Sequence, residues 1–557
     1  MKRRRANFER RRRTTLSGRA LAGLAAVSLA LSGCNAVPHV DLAPAYEPVD
    51  LVVPDSWKGS GPFVKATPAD AEIRLDWWKL FHDPVLNRLE EQAMSANADL
   101  QAAAERFMQA RDMMMKAQSR LFPRVGLGFG ASDNKQSENA LFRAPTAQLF
   151  PGGPNLYPGN PIYGSDVDTG SLASWEPDFW SAIRNTTRMQ IHRAQEMAAN
   201  FWLARLSLQA EVATNYYILR GYDAQEYVYR MSIDYYKQSL DIVTAQFEGK
   251  LASELDVARV KYLLHMTEAK AFNIQGEREV TEHAIAALLN VSPSSFKIEP
   301  MKELKSAKFT VPQKVPSSLL ERRPDIAAME REMAQANRSI GVARAAFFPN
   351  VVFRLGGGFE DNAFNLFKLA NSYWAYGSMV SLPIFEGGMR RAELQQTWSV
   401  YREVEDRYRA TVLNAFREVE NGLSLTNRLT SALKKQELAV NAAVEQQTLT
   451  MELFRGGLIS SLDLVYAAIN TLDSRIEAVR LKARLLQAAV GLVRALGGGW
   501  ERGRLPKDDE IQPFDVFRYQ QLEKPEQAGG IDVTVEDVPK NDDLRGPGRS
   551  RAPRAGN

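Results

Sequence analysis

Two aspartates occupy the same local setting in distant parts of the chain. Phe247-Glu248-Gly249-Lys250-Leu251-Ala252-Ser253-Glu254-Leu255-Asp256 returns 207 positions later as Phe454-Arg455-Gly456-Gly457-Leu458-Ile459-Ser460-Ser461-Leu462-Asp463, with six of the ten positions identical. In each copy a serine, Ser253 or Ser460, stands three residues before the aspartate. At a helix start that spacing lets the hydroxyl accept a backbone N–H while the carboxylate suits the positive helix end. Gly249, Gly456 and Gly457, just ahead, suit a sharp turn made through positive φ angles. Little else could do chemistry. His39, His82, His192, His265 and His283 show no metal-ligand spacing, and with Cys34 the only cysteine there is no disulfide or paired-thiol chemistry. Gly497 to Gly499 closes a helical pattern and precedes no other, so no phosphate cradle is present. The composition argues against an enzyme, and no cofactor or bound metal is expected.

Cys34 carries the one covalent chemistry the sequence offers. It follows an Arg-rich stretch, Arg3 to Arg13, and an apolar run of about twelve residues, Ala20 to Leu31. That run is short of the roughly 20 residues a membrane-crossing helix needs, but it suits a signal peptide. Leu31-Ser32-Gly33-Cys34 resembles a bacterial lipobox, which implies cleavage before Cys34 and acylation of the new amino terminus. An ordinary signal peptide with a chance cysteine is the alternative. Asn35 rather than an aspartate follows, and by resemblance to bacterial lipoproteins this implies the outer membrane. Residues 1–33 are read as a signal peptide, and 34–76, rich in Pro, Gly, Asp and Val, as an acylated tether. The net charge of +4 is small for 557 residues, with much of the positive charge in the first twenty, so no nucleic-acid partner is indicated.

Helical patterns dominate after Trp77. One covers 83–120 and a longer one 184–247, where Leu206, Ala210, Ala213, Tyr217, Arg220, Ala224, Val228, Met231 and Tyr235 follow spacings of mostly four and three. This is a coiled-coil-like seam with Arg220 as its polar exception. A helix of roughly 60 residues is about 90 Å long, far beyond an ordinary globular helix. The spacing predicts a break at Gly249 and a return helix from Ser253 to about Asn290. Helices over 324–346, 390–455 and 461–496 repeat the plan. The chain is thus an internal duplication, with a first repeat over 77–317 and a second over 318–503. The tail, 504–557, is rich in charge, Pro and Gly and reads as disordered.

Between the helices of each half polarity alternates. Val125, Leu127 and Phe129 alternate with Arg124, Gly126, Gly128 and Gly130. Val351, Phe353, Leu355 and Phe359 alternate with Asn350, Arg354, Gly356 and Gly358. Trp374, Tyr376, Val380, Leu382 and Ile384 share a face opposite Ala375, Gly377 and Ser381, and a partner strand is expected near 166–175. This is the pattern of membrane-spanning strands, although a soluble half-buried hairpin shows the same alternation. Four strands cannot close a barrel, and open edges are not tolerated in lipid. If the strands span a bilayer, several chains must share one barrel.

At this point the chain resembles the outer membrane factor family of TolC/NodT-type efflux lipoproteins. The residues that carry the resemblance are Trp175-Glu176-Pro177-Asp178-Phe179-Trp180, Arg322-Arg323-Pro324-Asp325-Ile326, Pro383-Ile384-Phe385-Glu386-Gly387-Gly388, Ala495-Leu496-Gly497-Gly498-Gly499-Trp500 and the doubled segment. The resemblance implies a mixed α and β membrane protein: a homotrimer with four strands per chain in a shared twelve-stranded outer-membrane barrel, continued by long antiparallel α-helices as a periplasmic helical barrel. It further implies a passive channel in the outer membrane of a Gram-negative bacterium. An inner-membrane pump, often of the resistance-nodulation-division type, and a periplasmic adaptor would supply it with small molecules. A conduit for secreted polypeptides and a non-conducting lipid-anchored coiled-coil scaffold are the alternatives.

The resemblance also assigns roles to the doubled turn. It would form the tip farthest from the outer membrane, with Asp256 and Asp463 ringing a gate, whereas the residues themselves read equally as helix caps. Gly249, Leu251, Ser253, Gly456, Gly457, Leu458, Ser460 and Ser461 are candidates for adaptor contact. Ile459 and Tyr466 stand where the best-known member has a gate arginine and a second acid, so an identical lock is not expected. Arg322-Arg323-Pro324-Asp325 reads as a helix start, and Tyr373, Trp374 and Tyr376 as either an interfacial belt or core.

Overall fold

Where apolar residues recur with a helical period the chain makes long helices, and where they alternate it makes strands. The structure, a computed structural model, describes residues 38–46, 49, 75–135, 163–304, 320–361 and 366–511. In order they form α1 (Pro84–Ala96), α2 (Ala98–Gln118), β1 (Arg124–Lys135), β2 (Tyr163–Trp175), α3 (Ala182–Glu248), α4 (Glu254–Leu288), α5 (Pro324–Ala345), β3 (Asn350–Asp361), β4 (Ser372–Ser381), α6 (Met389–Arg455), α7 (Ser461–Ala495) and the short α8 (Asp508–Ile511). Two strands followed by helices of 67 and 35 residues therefore occur twice. Among the described residues no helix is long and apolar enough to cross a membrane. The chain divides into two compact units that cut across the sequence repeats: residues 1–46, 112–190 and 334–401, and residues 47–111, 191–333 and 402–557.

The first unit holds one antiparallel sheet of four strands in the order β1-β2-β3-β4. Residues directly opposite in an antiparallel pair share a face, so the register sorts the side chains. Val125, Leu127 and Phe129, then Trp175, Phe353 and Leu355, then Trp374, Tyr376 and Val380 lie on one face. Leu127 is 89% exposed and Tyr376 76%, so among the described residues nothing covers this apolar face. Two expectations need correction. The strand β4 ends at Ser381, before Leu382 and Ile384, because Pro383 has no N–H to extend the ladder. The aromatics do not form one belt either. Trp374 and Tyr376 stack on the apolar face at 5.8 Å, whereas Tyr373 points to the other face and lies over Gly170.

The Trp175–Trp180 segment makes the corner from β2 into α3. Trp175 Nε1 donates to Leu121 O (3.0 Å) and Trp180 Nε1 to Pro349 O (2.8 Å), while Trp180 stacks on Phe348. Buried Asp178 accepts from the backbone N–H groups of Ile183 (3.0 Å) and Arg184 (2.8 Å), groups the helix cannot satisfy itself.

In the second unit the seam of α3 is buried from Leu206 to Val228 but then drifts. Met231 is exposed, and Ser232, Tyr236, Ser239 and Val243 take over the buried stripe. A straight helix has 3.6 residues per turn and slips out of a 3.5-residue pattern in this way. Buried Arg220 is no misfit, since it pairs with Asp223 (2.8 Å), which also accepts from Arg278 (2.6 Å). Backbone groups of Ile298, Glu299 and Met301 complete this network and hold residues 298–301 against α3 and α4. The single helix expected over 83–120 is two. Asn97 breaks it by accepting from Leu100 N (2.9 Å) as the cap of α2 and donating to Leu288 O (3.0 Å) at the end of α4.

Pro324 opens α5 as expected, but Asp325 also grips Arg323, which donates to Glu418 and Ala495 O as well. Gly497 (φ 91) ends α7 so close to this segment that a Cβ would lie 1.9 Å from Arg322 O. The tail is ordered further than its composition suggests. Gln195 donates to Pro506 O (3.1 Å) and Asp508 (2.9 Å), and Ile511 is buried. The disorder expected for the rest of the tail concerns 512–557, outside the described residues.

Candidate functional site

Each copy of the doubled segment forms the turn of a helical hairpin. Leu251 N donates to Gln246 O (2.7 Å) and Lys250 N to Phe247 O (2.9 Å); Leu458 N donates to Leu453 O (3.0 Å) and Gly457 N to Phe454 O (3.0 Å). These crossed bonds are the Schellman arrangement, which needs one residue in the left-handed region. That residue is Lys250 (φ 60) in the first turn and Gly457 (φ 71) in the second. The expectation of positive φ at Gly249 and Gly456 is therefore corrected. Both stand one residue earlier and still donate to the carbonyl four residues back, Ala245 O and Glu452 O.

Past each turn a serine caps the return helix. The Oδ2 atom of Asp256 accepts from Ser253 N (3.0 Å) and Ser253 Oγ (2.7 Å), and Asp256 N donates back to Ser253 Oγ (3.3 Å). Asp463 Oδ2 accepts from Ser460 N (3.2 Å) and Ser460 Oγ (2.7 Å). The two aspartates differ in what else they hold. Asp256 Oδ1 accepts from Ser461 Oγ, in the other turn, and from Arg259 Nη1 (3.3 Å). The Ser461 hydroxyl, joined by Ser253, holds the Asp256 carboxyl at about 2, below the ordinary carboxylate range. Hydrogen bonds from Ser460 lower Asp463 as well.

Under the turns, Val243, Val257, Val260, Met451, Phe454 and Leu464 form one buried cluster drawn from both hairpins, with Ile459 packed at its side. Ser461, a partner-contact candidate in the sequence, is 5% exposed and faces inward to Asp256. Leu251 and Leu458 occupy equivalent positions and point outward, 84% and 74% exposed. Gly249, Ser253, Gly456, Gly457 and Ser460 are exposed around them, as is Tyr466. No sequence signal linked Ser461 to Asp256, because the pairing crosses between the two turns.

A second feature also lacked a sequence signal. Asp41, in the Pro-rich tether, accepts from Asn185 Nδ2 (2.9 Å), Arg338 Nη1 (3.2 Å) and Arg188. Val40 N donates to Phe179 O (2.9 Å) and Arg344 Nη1 to Leu42 O (3.1 Å), so residues 40–42 are fixed to α3 and α5. Cys34 lies outside the described residues, seven positions before this clasp.

The sequence model of the family described as "Outer membrane efflux protein" matches residues 89–291 and 315–498. The pyoverdine export outer membrane protein OpmQ of Pseudomonas aeruginosa is 27% identical over 487 residues, 86% of this chain and 97% of the relative. The toluene efflux pump outer membrane protein TtgF of Pseudomonas putida is 28% identical over 484 residues, 86% and 96% of the two chains. Among solved structures, the outer-membrane channel OprN superposes with a TM-score of 0.74 at 26% identity, covering 82% of this chain and 99% of that one. Both hairpin turns fall inside the matched segments, one in each, and the chain belongs to the outer membrane efflux protein family, a protein of the outer membrane.

Proposed function

We propose that three copies of this chain form one channel, their sheets closing a barrel of twelve strands in the outer membrane and their long helices extending into the periplasm. The observation that carries the reading is the open sheet: among the described residues β1 and β4 are its free edges, and its apolar face is exposed. Unpaired strand edges are not tolerated in lipid, so a spanning sheet of this kind must be completed by other copies. The channel conducts small molecules passively, and the driving energy belongs to an inner-membrane pump of the resistance-nodulation-division type joined through a periplasmic adaptor. OpmQ and TtgF, named for pyoverdine export and toluene efflux, support small-molecule cargo. The paired turns form the periplasmic tip, where Asp256 and Asp463 act as gate carboxylates while capping their helices. Leu251 and Leu458, the most exposed apolar side chains there, meet the adaptor together with the exposed Gly and Ser positions around them. Cys34 carries the lipid anchor.

The test is single-channel conductance of the purified protein in planar bilayers, wild type against Asp256→Ala/Asp463→Ala. Stepwise conductance that rises or loses cation preference in the double variant supports both the channel and its acidic gate. Steps unchanged by the substitutions reduce the aspartates to helix caps. A refolded trimer that gives no steps in either form overturns the channel.

A further inference from the structure

The sheet face opposite the apolar one carries charge at both ends and almost none between. Its rows run across the strands. Arg124, Ser174, Arg354 and Gly377 form the first; Gly126, Leu172, Gly356 and Ala375 the second; Gly128, Gly170, Gly358 and Tyr373 the third; Gly130, Asp168 and Glu360 the fourth. Arg124 to Gly130 is about 20 Å of strand. The arginine row lies toward the end where the strands connect to α2, α3, α5 and α6, and the acidic row toward the loop end.

None of these four charged side chains is explained by pairing among the described residues. Arg124 and Arg354 are exposed, sit two strand spacings (roughly 10 Å) apart, and make no hydrogen bond or ion pair among the described residues. Asp168 and Glu360 stand directly opposite each other, a placement that is unfavourable for like charges. The backbone accommodates them all the same. Asp168 Oδ1 lies 2.1 Å from where a Cβ on Gly130 would stand, so the carboxylate leans away from Glu360 into space only glycine leaves. The middle rows are uncharged, glycines and Ala375 with the exposed Leu172 and with Tyr373, whose Oη is 2.5 Å from the Cβ position of Gly170. Arginines and acids are too far apart to neutralise one another, so what they set up is a field along the face.

Resting on the trimeric-channel reading, in which this face lines the pore, we infer that the barrel wall is electrically bipolar along its axis. A cationic girdle of Arg124 and Arg354 faces the helical end, and an anionic girdle of Asp168 and Glu360 faces the loops. Anions concentrate at the first girdle and cations at the second. Such a pore rectifies, because one voltage polarity drives both ions into the pore segment between the girdles and the other drains it. Threefold symmetry turns each pair into a ring of charges, close enough to the axis to act within the Debye length of ~10 Å at about 0.1 M salt.

The experiment is a current–voltage curve of the trimeric full-length protein in planar bilayers, in about 0.1 M and then about 1 M potassium chloride. In the dilute salt, wild-type currents at equal and opposite voltages are expected to differ by roughly two- to fivefold. The ratio is expected to approach one in the concentrated salt and in the Arg124→Gln/Arg354→Gln/Asp168→Asn/Glu360→Gln variant, with steps persisting. All four residues sit on the sheet surface, and each neutralised pair made separately is expected to give an intermediate ratio. A symmetrical wild-type curve, or a ratio untouched by the fourfold variant, overturns the bipolar wall while leaving the channel intact. Absence of steps in every form removes the channel reading itself, and the inference with it.

Discussion

Ser461 gives its hydroxyl hydrogen to the carboxylate of Asp256, 205 residues away in sequence, and so joins the two helical turns. The bond is one-sided. The position equivalent to Ser461 in the first turn is Glu254, and Asp463 accepts side-chain hydrogen bonds from Ser460 alone among the described residues.

Replacing Ser461 with Ala should therefore remove this hydrogen bond between the turns without uncapping either helix. The expected cost is about 1 kcal/mol, seen as a lowered melting midpoint, together with raised single-channel conductance if the tip is the gate. A variant that melts and conducts as the wild type does would leave the bond without consequence.

The pH dependence of this coupling follows from its sign. A carboxyl depressed in the folded state contributes stability above its unfolded value of about 3.9, and loses it as pH falls through the folded value. For Asp256 the folded value is about 2. The stability gap between wild type and Ser461→Ala should stay flat from neutral pH down to the unfolded value and shrink only in stronger acid. A gap that closes near neutral pH would contradict the hydrogen-bonding shown here.

Lys250 and Gly457 provide an opposed pair. Both adopt left-handed backbone, which costs an ordinary residue roughly 1 kcal/mol or more and glycine little. Lys250→Gly is expected to be neutral to stabilising by a few tenths of a kcal/mol, and Gly457→Ala to destabilise by about 1 kcal/mol. Thermal melts should put Gly457→Ala below the wild type and Lys250→Gly at or above it. The same direction for both would mean that packing rather than backbone conformation decides the turn.

Glu90, on the buried side of α1, has both carboxylate oxygens without a partner among the described residues, and burial pushes its acid well above the ordinary value. The folded state thus holds a proton that the unfolded chain releases above about 4.3, so wild-type stability should decline as pH rises past that point. Glu90→Gln cannot titrate and should show a flatter profile. Parallel profiles would mean that Glu90 is charged in the folded protein.

Much of the architecture was legible because its signals are local. Gly-rich breaks, serine caps and alternating strands place most helix and strand boundaries within a few residues. What the sequence concealed depends on partners far away in the chain. The stop at Asn97 needed the carbonyl of Leu288, the burial of Arg220 needed Asp223 and residues 298–301, and the fixed tether needed Asn185, Arg188 and Arg338. Within the turns, spacing identified Ser253 and Ser460 as caps, but assigned the left-handed residue of the first turn to Gly249 instead of Lys250. A lysine in that conformation gives no compositional cue.

The paired helices of the two halves have equal lengths, 67 and 67 residues, then 35 and 35. One inserted residue advances a helix end by about 1.5 Å and turns it by roughly 100°. An insertion in α3 alone would thus carry Asp256 away from Ser461 and pull one hairpin's valines out of the cluster that both turns share. Tolerated changes of length must occur in both halves together. In drift among descendants of this gene, insertions and deletions in the two halves should be inherited as matched sets, even where the aligned residues have nothing else in common.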